Sequence, residues 1–341
     1  MTTTAGPAPF DEAVVLSPEW LTGVLDSGSG AIPVATEVVE RIETVATKLR
    51  FRVTYSGPAG TPPALCAKGY FNPAHRRGSR AEADFYRLPA RRLPVRTPPC
   101  VHAAVDETTG HALVLMHDLV EVGARFLDPL VGYSPDRAAG TLDQLAALHA
   151  ATWGSREYDM FPPRLASLAG HMTPEKLQPL LDDGRAGGIP DPVRRADRLL
   201  AAMAAMDTLG AASTRCLVHG DLHAGNIYEM PDGSPGLIDW QVVQCGHWAQ
   251  DVAYHLATVL HPGDLAGTER ALLDHYLDRL AGYGVEPPDR EHAWWMYRAH
   301  LPYGFYLWSM TRAVDRPIIE HLTGRLATAV ARHDSFGLLG V

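Results

Sequence analysis

Apolar and polar positions change rhythm along this chain near residue 120. Before it, short runs interleave Val, Tyr and Phe with polar residues: VVERIE (38–43), KLRFRVTY (48–55) and PALCAKGYF (63–71). That is the pattern of half-buried strands. The connector SGPAGTPP (56–63) is dense in turn residues. SRAEADFYRL (79–88) predicts a helix, with Ser79 available as its cap and Pro89 as its stop. CVHAAVD (100–106) and HALVLMHDL (111–119), joined by the turn signal ETTG, predict two more strands. The order β-β-β-α-β-β describes a small antiparallel sheet with one helix. Ahead of it, the Thr-, Ala- and Pro-rich first 15 residues are expected to be loose. SPEWLTGVLDSG then predicts a short helix, with Ser17 as N-cap and Pro18 at the first helical position.

Beyond residue 119 the spacing becomes helical. TLDQLAALHAATW (141–153) places Leu142, Leu145, Leu148 and Ala151 on one face. Residues 154–190 are rich in Pro and Gly and are expected to be irregular, and 191–206 (DPVRRADRLLAAMAAM) predicts a helix. In 216–240 the short apolar runs CLV, NIY and GLIDW suggest hairpin-like strands, the last two separated by PDGSPG. From Trp248 to about Arg332 the pattern predicts four helices. The whole is an α+β chain with an N-terminal lobe over 1–117 and a larger, mainly helical lobe over 118–341. No internal repeat interrupts it.

Composition narrows the possibilities. At 341 residues, with 46% hydrophobic and 20% charged content, the chain can bury a large core. A formal net charge of -9 argues against a nucleic-acid binder, which needs a basic face. The four cysteines, Cys66, Cys100, Cys216 and Cys245, form no CxxC pair and fit neither a zinc site nor a disulfide scaffold. The N-terminal stretch has no basic n-region or apolar h-region, and no run reaches the length of a membrane span. These features predict a cytoplasmic protein with no membrane partner.

One stretch fits neither strand nor helix. In CLVHGDLHAGNIY (216–228) an apolar run breaks into His219, Gly220, Asp221, Leu222, His223, Ala224, Gly225 and Asn226. The form is H-x-D-L-x-x-x-N, the spacing of the protein-kinase catalytic loop, with Gly where kinases carry Arg. Asp221 can accept the proton of an attacking hydroxyl, and Asn226 can present a neutral oxygen to Mg²⁺. Further on, Leu237-Ile238-Asp239-Trp240 ends an apolar run on a second carboxylate able to bind metal. Leu65-Cys66-Ala67-Lys68 resembles the V-A-I-K strand of kinases, and Glu82 on the following helix is placed to hold Lys68. Asp84 is the rival acid, two residues on and so turned away on a helix. Met116, His117 and Leu119 lie where backbone groups would meet adenine. His219 is expected to hold Asp221 through loop backbone, and Asp251 to anchor the same loop.

With these residues in view, the sequence resembles the aminoglycoside phosphotransferase and choline kinase superfamily over about residues 35–310. HGDLHAGN is similar to its catalytic motif and LAALHAATW (145–153) to the helix after its hinge. GLIDWQVVQCGHWAQDVAYHL (236–256) resembles the branch of ecdysteroid-kinase-like and related bacterial phosphotransferases. The resemblance implies a bilobal protein-kinase-like fold and transfer of phosphate from ATP, or GTP, with Mg²⁺, to a hydroxyl of a small molecule. One departure stands out. The loop Glu43-Thr44-Val45-Ala46-Thr47-Lys48 has no glycine to let backbone N–H groups approach phosphates. Thr44 and Thr47 are the candidates to replace them. That loop is also the one feature favouring a nucleotide-binding pseudokinase.

The acceptor is read from 293–310, AWWMYRAHLPYGFYLWSM, with Arg298, His300 and Arg312 in or near it. A pocket for polycationic aminoglycosides should be acidic; aromatics and bases suggest a neutral, amphipathic or anionic alcohol. Asp182 and Asp183 are the counter-evidence, and an antibiotic-inactivating kinase is the rival reading. His223, Trp295, Arg298 and Tyr303 are the candidate substrate contacts.

Overall fold

The computed structural model describes residues 6–25, 30–60, 63–72 and 80–341. Ser79, the expected helix cap, and parts of the 17–28 and 56–63 segments lie outside the described residues. The chain divides into two compact units. One comprises the residues up to Leu93, Thr97–Arg125 and Ile238–Val242; the other comprises Pro94–Arg96, Phe126–Leu237 and Val243–Val341.

The first unit is a five-stranded sheet with helices. Its elements are α1 (Glu12–Val15), α2 (Pro18–Val24), β1 (Pro33–Glu43), β2 (Thr47–Tyr55), β3 (Ala64–Gly69), α3 (Arg80–Arg87), β4 (Cys100–Val105) and β5 (Ala112–His117). The strand order is β1-β2-β3-β5-β4, with every pairing antiparallel. Ser17 caps α2 by accepting from the Trp20 N–H, with Pro18 at the first position, as the sequence predicted. Residues 1–5 of the stretch expected to be loose lie outside the described residues; for 6–15 the expectation is corrected. Asp11 caps α1 by accepting from the Ala13 N–H, and Val15 is fully buried. Burial of Ala8, Val15, Trp20 and Leu21 with Leu49, Phe51, Leu65, Ala67 and Leu115 makes one core on one face of the sheet. Alternation therefore sends Lys48, Arg50, Cys66 and Lys68 to the opposite face.

The second unit is mainly helical. After β6 (Arg125–Phe126) come α4 (Pro135–Thr152), α5 (Leu165–Ala169), α6 (Pro174–Leu181) and α7 (Ala196–Ala212). They are followed by β7 (Cys216–Val218), β8 (Ile227–Glu229), β9 (Pro235–Leu237) and β10 (Gln244–Gly246). The chain closes with α8 (Trp248–Val259), α9 (Pro262–Gly282), α10 (Arg290–Met310), α11 (Arg316–Arg332) and α12 (Ser335–Leu338). The four helices expected after Trp248 are α8 to α11. Residues 154–190 are not merely irregular: Leu165, Leu168, Leu177 and Leu181 are buried on α5 and α6. Pro174 occupies the first turn of α6, where a missing N–H costs nothing. The helix expected over 191–206 starts at Ala196 and continues to Ala212, because its Ala- and Leu-rich run keeps its helical preference. β8 and β9 form the expected hairpin, whereas β7 pairs with β10, which the sequence reading did not anticipate. Every residue of α8 is buried. Among the described residues no helix is long and apolar enough to cross a membrane.

Candidate active site

In the first unit, β3 carries Lys68 and α3 carries Glu82. The Lys68 ammonium lies 2.8 Å from Glu82 Oε2 and 3.0 Å from Asp239 Oδ1. Burial pulls the Lys68 pKa down, but Asp239 and Glu82 outweigh it, so the pKa is raised and the ammonium stays charged. Burial raises the Glu82 pKa against the opposing pull of Lys68. Asp84 faces away and pairs with Arg80 and Arg87 instead. Asp239 sits two residues past β9 with φ 66°, in the left-handed region that Asp tolerates better than most residues. The next residue, Trp240, donates its N–H to Glu82 and stacks on Phe85 with ring centroids 3.9 Å apart. The Asp239 turn is thereby tied to the helix that holds the lysine.

The threonines of the β1–β2 connection are engaged locally and do not present themselves as expected. Thr44 donates both its N–H (3.3 Å) and its hydroxyl (2.7 Å) to the Ala46 carbonyl, and Thr47 is buried. A tight three-residue connection turns these donors inward. At the end of β5 the His117 N–H donates to Pro99 and the Asp118 N–H to Ala64. The Leu119 carbonyl accepts from Val122 and Ala124. Met116 is buried, opposite Cys66 in the sheet.

In the second unit, the 216–228 loop is fixed from below. Asp251 on α8, fully buried, accepts from the His219 N–H (2.6 Å), the Gly220 N–H (2.8 Å) and His149 Nε2 (3.3 Å). Burial alone would raise the Asp251 pKa; His149 and the Gly220 N–H reverse this and hold it below the ordinary carboxylate value. Gly220 has φ 83°, a conformation that explains glycine at this position. His219 Nδ1 accepts from the Asp221 N–H at 3.2 Å, the positioning role expected for it.

Asp221 is held at both carboxylate oxygens. Tyr254 on α8 donates to Oδ1 at 2.6 Å, and Asn226 Nδ2 lies 3.3 Å from Oδ2 and 2.7 Å from the Asp221 carbonyl. Trp308 on α10 donates to the Tyr254 hydroxyl at 2.7 Å, so the Tyr254 proton is directed to Asp221. Burial first, and the Asp221 charge second, raise the Tyr254 pKa well above normal, which keeps it a neutral donor. Gly304 makes room for this ring: a Cβ there would stand 2.3 Å from Tyr254 Cδ2. Sequence reasoning missed Tyr254 and Trp308, which sit among other aromatics with no local motif to mark them.

The substrate candidates separate. Tyr303 is fully buried and donates to the Gly220 carbonyl at 2.6 Å, so it holds the loop and is corrected as a substrate contact. Aromatic side chains on a core helix pack inward, and this one found a backbone acceptor. His223 accepts from the Gly225 N–H and meets the Trp308 ring edge-on at 5.3 Å. Trp295 is half-buried against His292, and Arg298 lies over the Trp294 ring at 5.4 Å. His300 is buried and stacked on His247, and Arg312 is exposed. Asp183 is neutralised by Arg185 and Arg316.

Each unit holds oxygen donors of the kind a hard cation takes. With Nδ2 on the Asp221 carbonyl, Asn226 has Oδ1 to offer, and Asp239 offers a partly exposed carboxylate. Mg²⁺ takes such oxygens together with water and phosphate. Among the described residues no group of three or more His, Cys, Asp or Glu side chains is arranged to hold a metal ion.

An antiparallel sheet unit with a buried Lys–Glu pair, and a larger helical unit with a fixed Asp–Asn loop, make the fold protein-kinase-like. The profile of the phosphotransferase enzyme family matches residues 39–292, and the chain belongs to that family; it is a phosphotransferase. Solved structures with the same fold include the ethanolamine kinase of Plasmodium vivax (14% identity, 93% of this chain and 86% of that one, TM-score 0.55). The choline kinase of Streptococcus pneumoniae is similar at 14% identity over 94% and 99%, TM-score 0.53. A macrolide 2'-phosphotransferase of Brachybacterium faecium is similar at 18% identity over 93% and 98%, TM-score 0.50. Among curated proteins, none matches the chain by sequence.

Proposed function

We propose that this phosphotransferase moves the γ-phosphoryl group of ATP to a hydroxyl of a small molecule, with Asp221 as the base. The observation that supports this most is the Asp221 carboxylate, held by Tyr254 and Asn226 on a loop anchored by Asp251. Asp221 accepts the hydroxyl proton late in transfer. Asn226 and Asp239 are the residues that would hold Mg²⁺, which when bound supplies neutralisation of phosphate charge. Lys68, kept charged and oriented by Glu82, meets the α/β-phosphates. Backbone around Met116, His117 and Leu119 meets the base, and such contacts admit GTP as well as ATP. Most of the rate acceleration comes from positioning and electrostatics.

The acceptor is a neutral, amphipathic or anionic alcohol. Trp294, Trp295 and Arg298 offer aromatic and basic groups on α10, while Asp183 is already committed to two arginines. The enzyme acts in the cytoplasm, where ATP is supplied and its four free thiols stay reduced. The test is Mg²⁺-dependent ATP consumption against sugars, aminoglycosides, macrolides, sterols, choline and hydroxyacyl compounds. Turnover with one uncharged, amphipathic or anionic class supports the reading. Turnover confined to aminoglycosides overturns the acceptor assignment.

A further inference from the structure

A second lysine lies beside the first. Lys48 on β2 is the direct cross-strand partner of Lys68 on β3, on the face of the sheet turned away from the core. Like charges placed directly opposite in a sheet are destabilising. Lys68 is compensated by two carboxylates, Glu82 and Asp239. Among the described residues Lys48 has no such direct partner: Asp239 and Glu82 favour its charge only from beyond ion-pair distance, and its ammonium makes one hydrogen bond, to Thr44 Oγ1 at 3.3 Å. Burial, and then the charge of Lys68, lower its pKa. A local rule broken in this way, with no direct partner to offset it, points to a functional position.

The adjoining loop says what is missing. The β1–β2 connection has no glycine, and Thr44 turns its N–H and hydroxyl onto the Ala46 carbonyl. Those donors are unavailable to an anion. A cation at the second residue of β2, Lys48, can do the same work by charge.

Resting on the phosphotransferase reading above, we propose that Lys48 is a second polyphosphate-binding cation, which with Lys68 grips the nucleoside triphosphate in place of a glycine-rich loop. Lys48 then senses the phosphate chain and not the nucleoside.

The test is equilibrium binding of ATP, GTP and adenosine to the full chain by calorimetry, with Mg²⁺ present, for wild type, Lys48→Met and Lys48→Arg. Lys48→Met is expected to weaken ATP binding about 10- to 100-fold, the worth of one charged hydrogen bond. Adenosine affinity stays within about twofold, and Lys48→Arg keeps ATP affinity within a few-fold because guanidinium also donates to phosphate. Thermal unfolding of Lys48→Arg matches wild type, and Lys48→Met melts at or above it, since it relieves the like-charge pair. Unchanged ATP affinity in Lys48→Met overturns the proposal. So does an equal loss for ATP and adenosine, or a Lys48→Met chain that does not fold, since either makes Lys48 structural. A wild-type chain that binds neither ATP nor GTP overturns the phosphotransferase mechanism itself, and this inference with it.

Discussion

Asp251→Asn removes the anchor of the 216–228 loop with almost no change in shape. In the native protein one carboxylate oxygen accepts from His219 N–H and His149 Nε2, and the other accepts from Gly220 N–H. An amide has one oxygen. If it takes the first position, the Gly220 N–H faces an NH₂ group; if it takes the second, His219 and His149 do. At least one buried backbone donor loses its acceptor. Charge-assisted bonds and stranded donors put the cost at about 2–4 kcal/mol. For a cooperative unit of this size that is a fall in melting temperature of about 5–15 °C. The pH dependence follows from the depressed Asp251 pKa. A carboxylate with a lowered folded pKa contributes stability above its unfolded pKa and loses it as pH falls through the folded one. The gap between wild type and variant should therefore be constant from pH 6 to 8 and close only below the ordinary aspartate value of 3.8. Calorimetric melts across pH measure this. A variant within about 2 °C of wild type at pH 7, or a gap that persists unchanged in strong acid, would refute the anchoring argument.

Tyr254→Phe removes one of the bonds to Asp221 and strands the Trp308 N–H; steady-state kinetics should show kcat down about tenfold or more, with KM for ATP little changed. Gly304→Ala places a methyl 2.3 Å from Tyr254 Cδ2 and 2.7 Å from Leu326 Cδ2, and denaturant unfolding should show a loss of about 1–3 kcal/mol. His255 and His300 are held at about 4 by burial, against an ordinary 6.5. Unfolded chains bind protons there that the native state does not, so stability is full above the unfolded value and falls as pH drops toward 4. By pH 5 the loss is on the order of 2 kcal/mol for each histidine, read as a falling melting temperature.

Much of the fold could be read from the chain because local signals agreed with burial. Alternating Val, Phe and Leu with turn residues marked β2, β3 and β5, and helical phase chose Glu82 over Asp84, whose carboxylate indeed turns to Arg80 and Arg87. Elements fixed by distant partners could not be read. β10 is three residues long and exists because β7 pairs with it. α5 and α6 hid in Pro- and Gly-rich sequence, since four buried leucines, not propensity, hold them. Tyr254 reaches Asp221 across 33 residues and Trp308 reaches Tyr254 across 54, so neither carried a motif. Tyr303 was misjudged because a buried aromatic and a pocket aromatic look alike in sequence. Lys48 carried no motif, and only the strand register sets it against Lys68.

The most direct measurement is the initial rate of Mg²⁺-dependent phosphoryl transfer from ATP to the acceptor found in the alcohol panel, for wild type and Asp221→Asn. The account predicts a rate lower by about 10²–10⁴ in the variant, the worth of a general base, with the melting temperature and ATP affinity preserved. An unchanged rate in Asp221→Asn would contradict it.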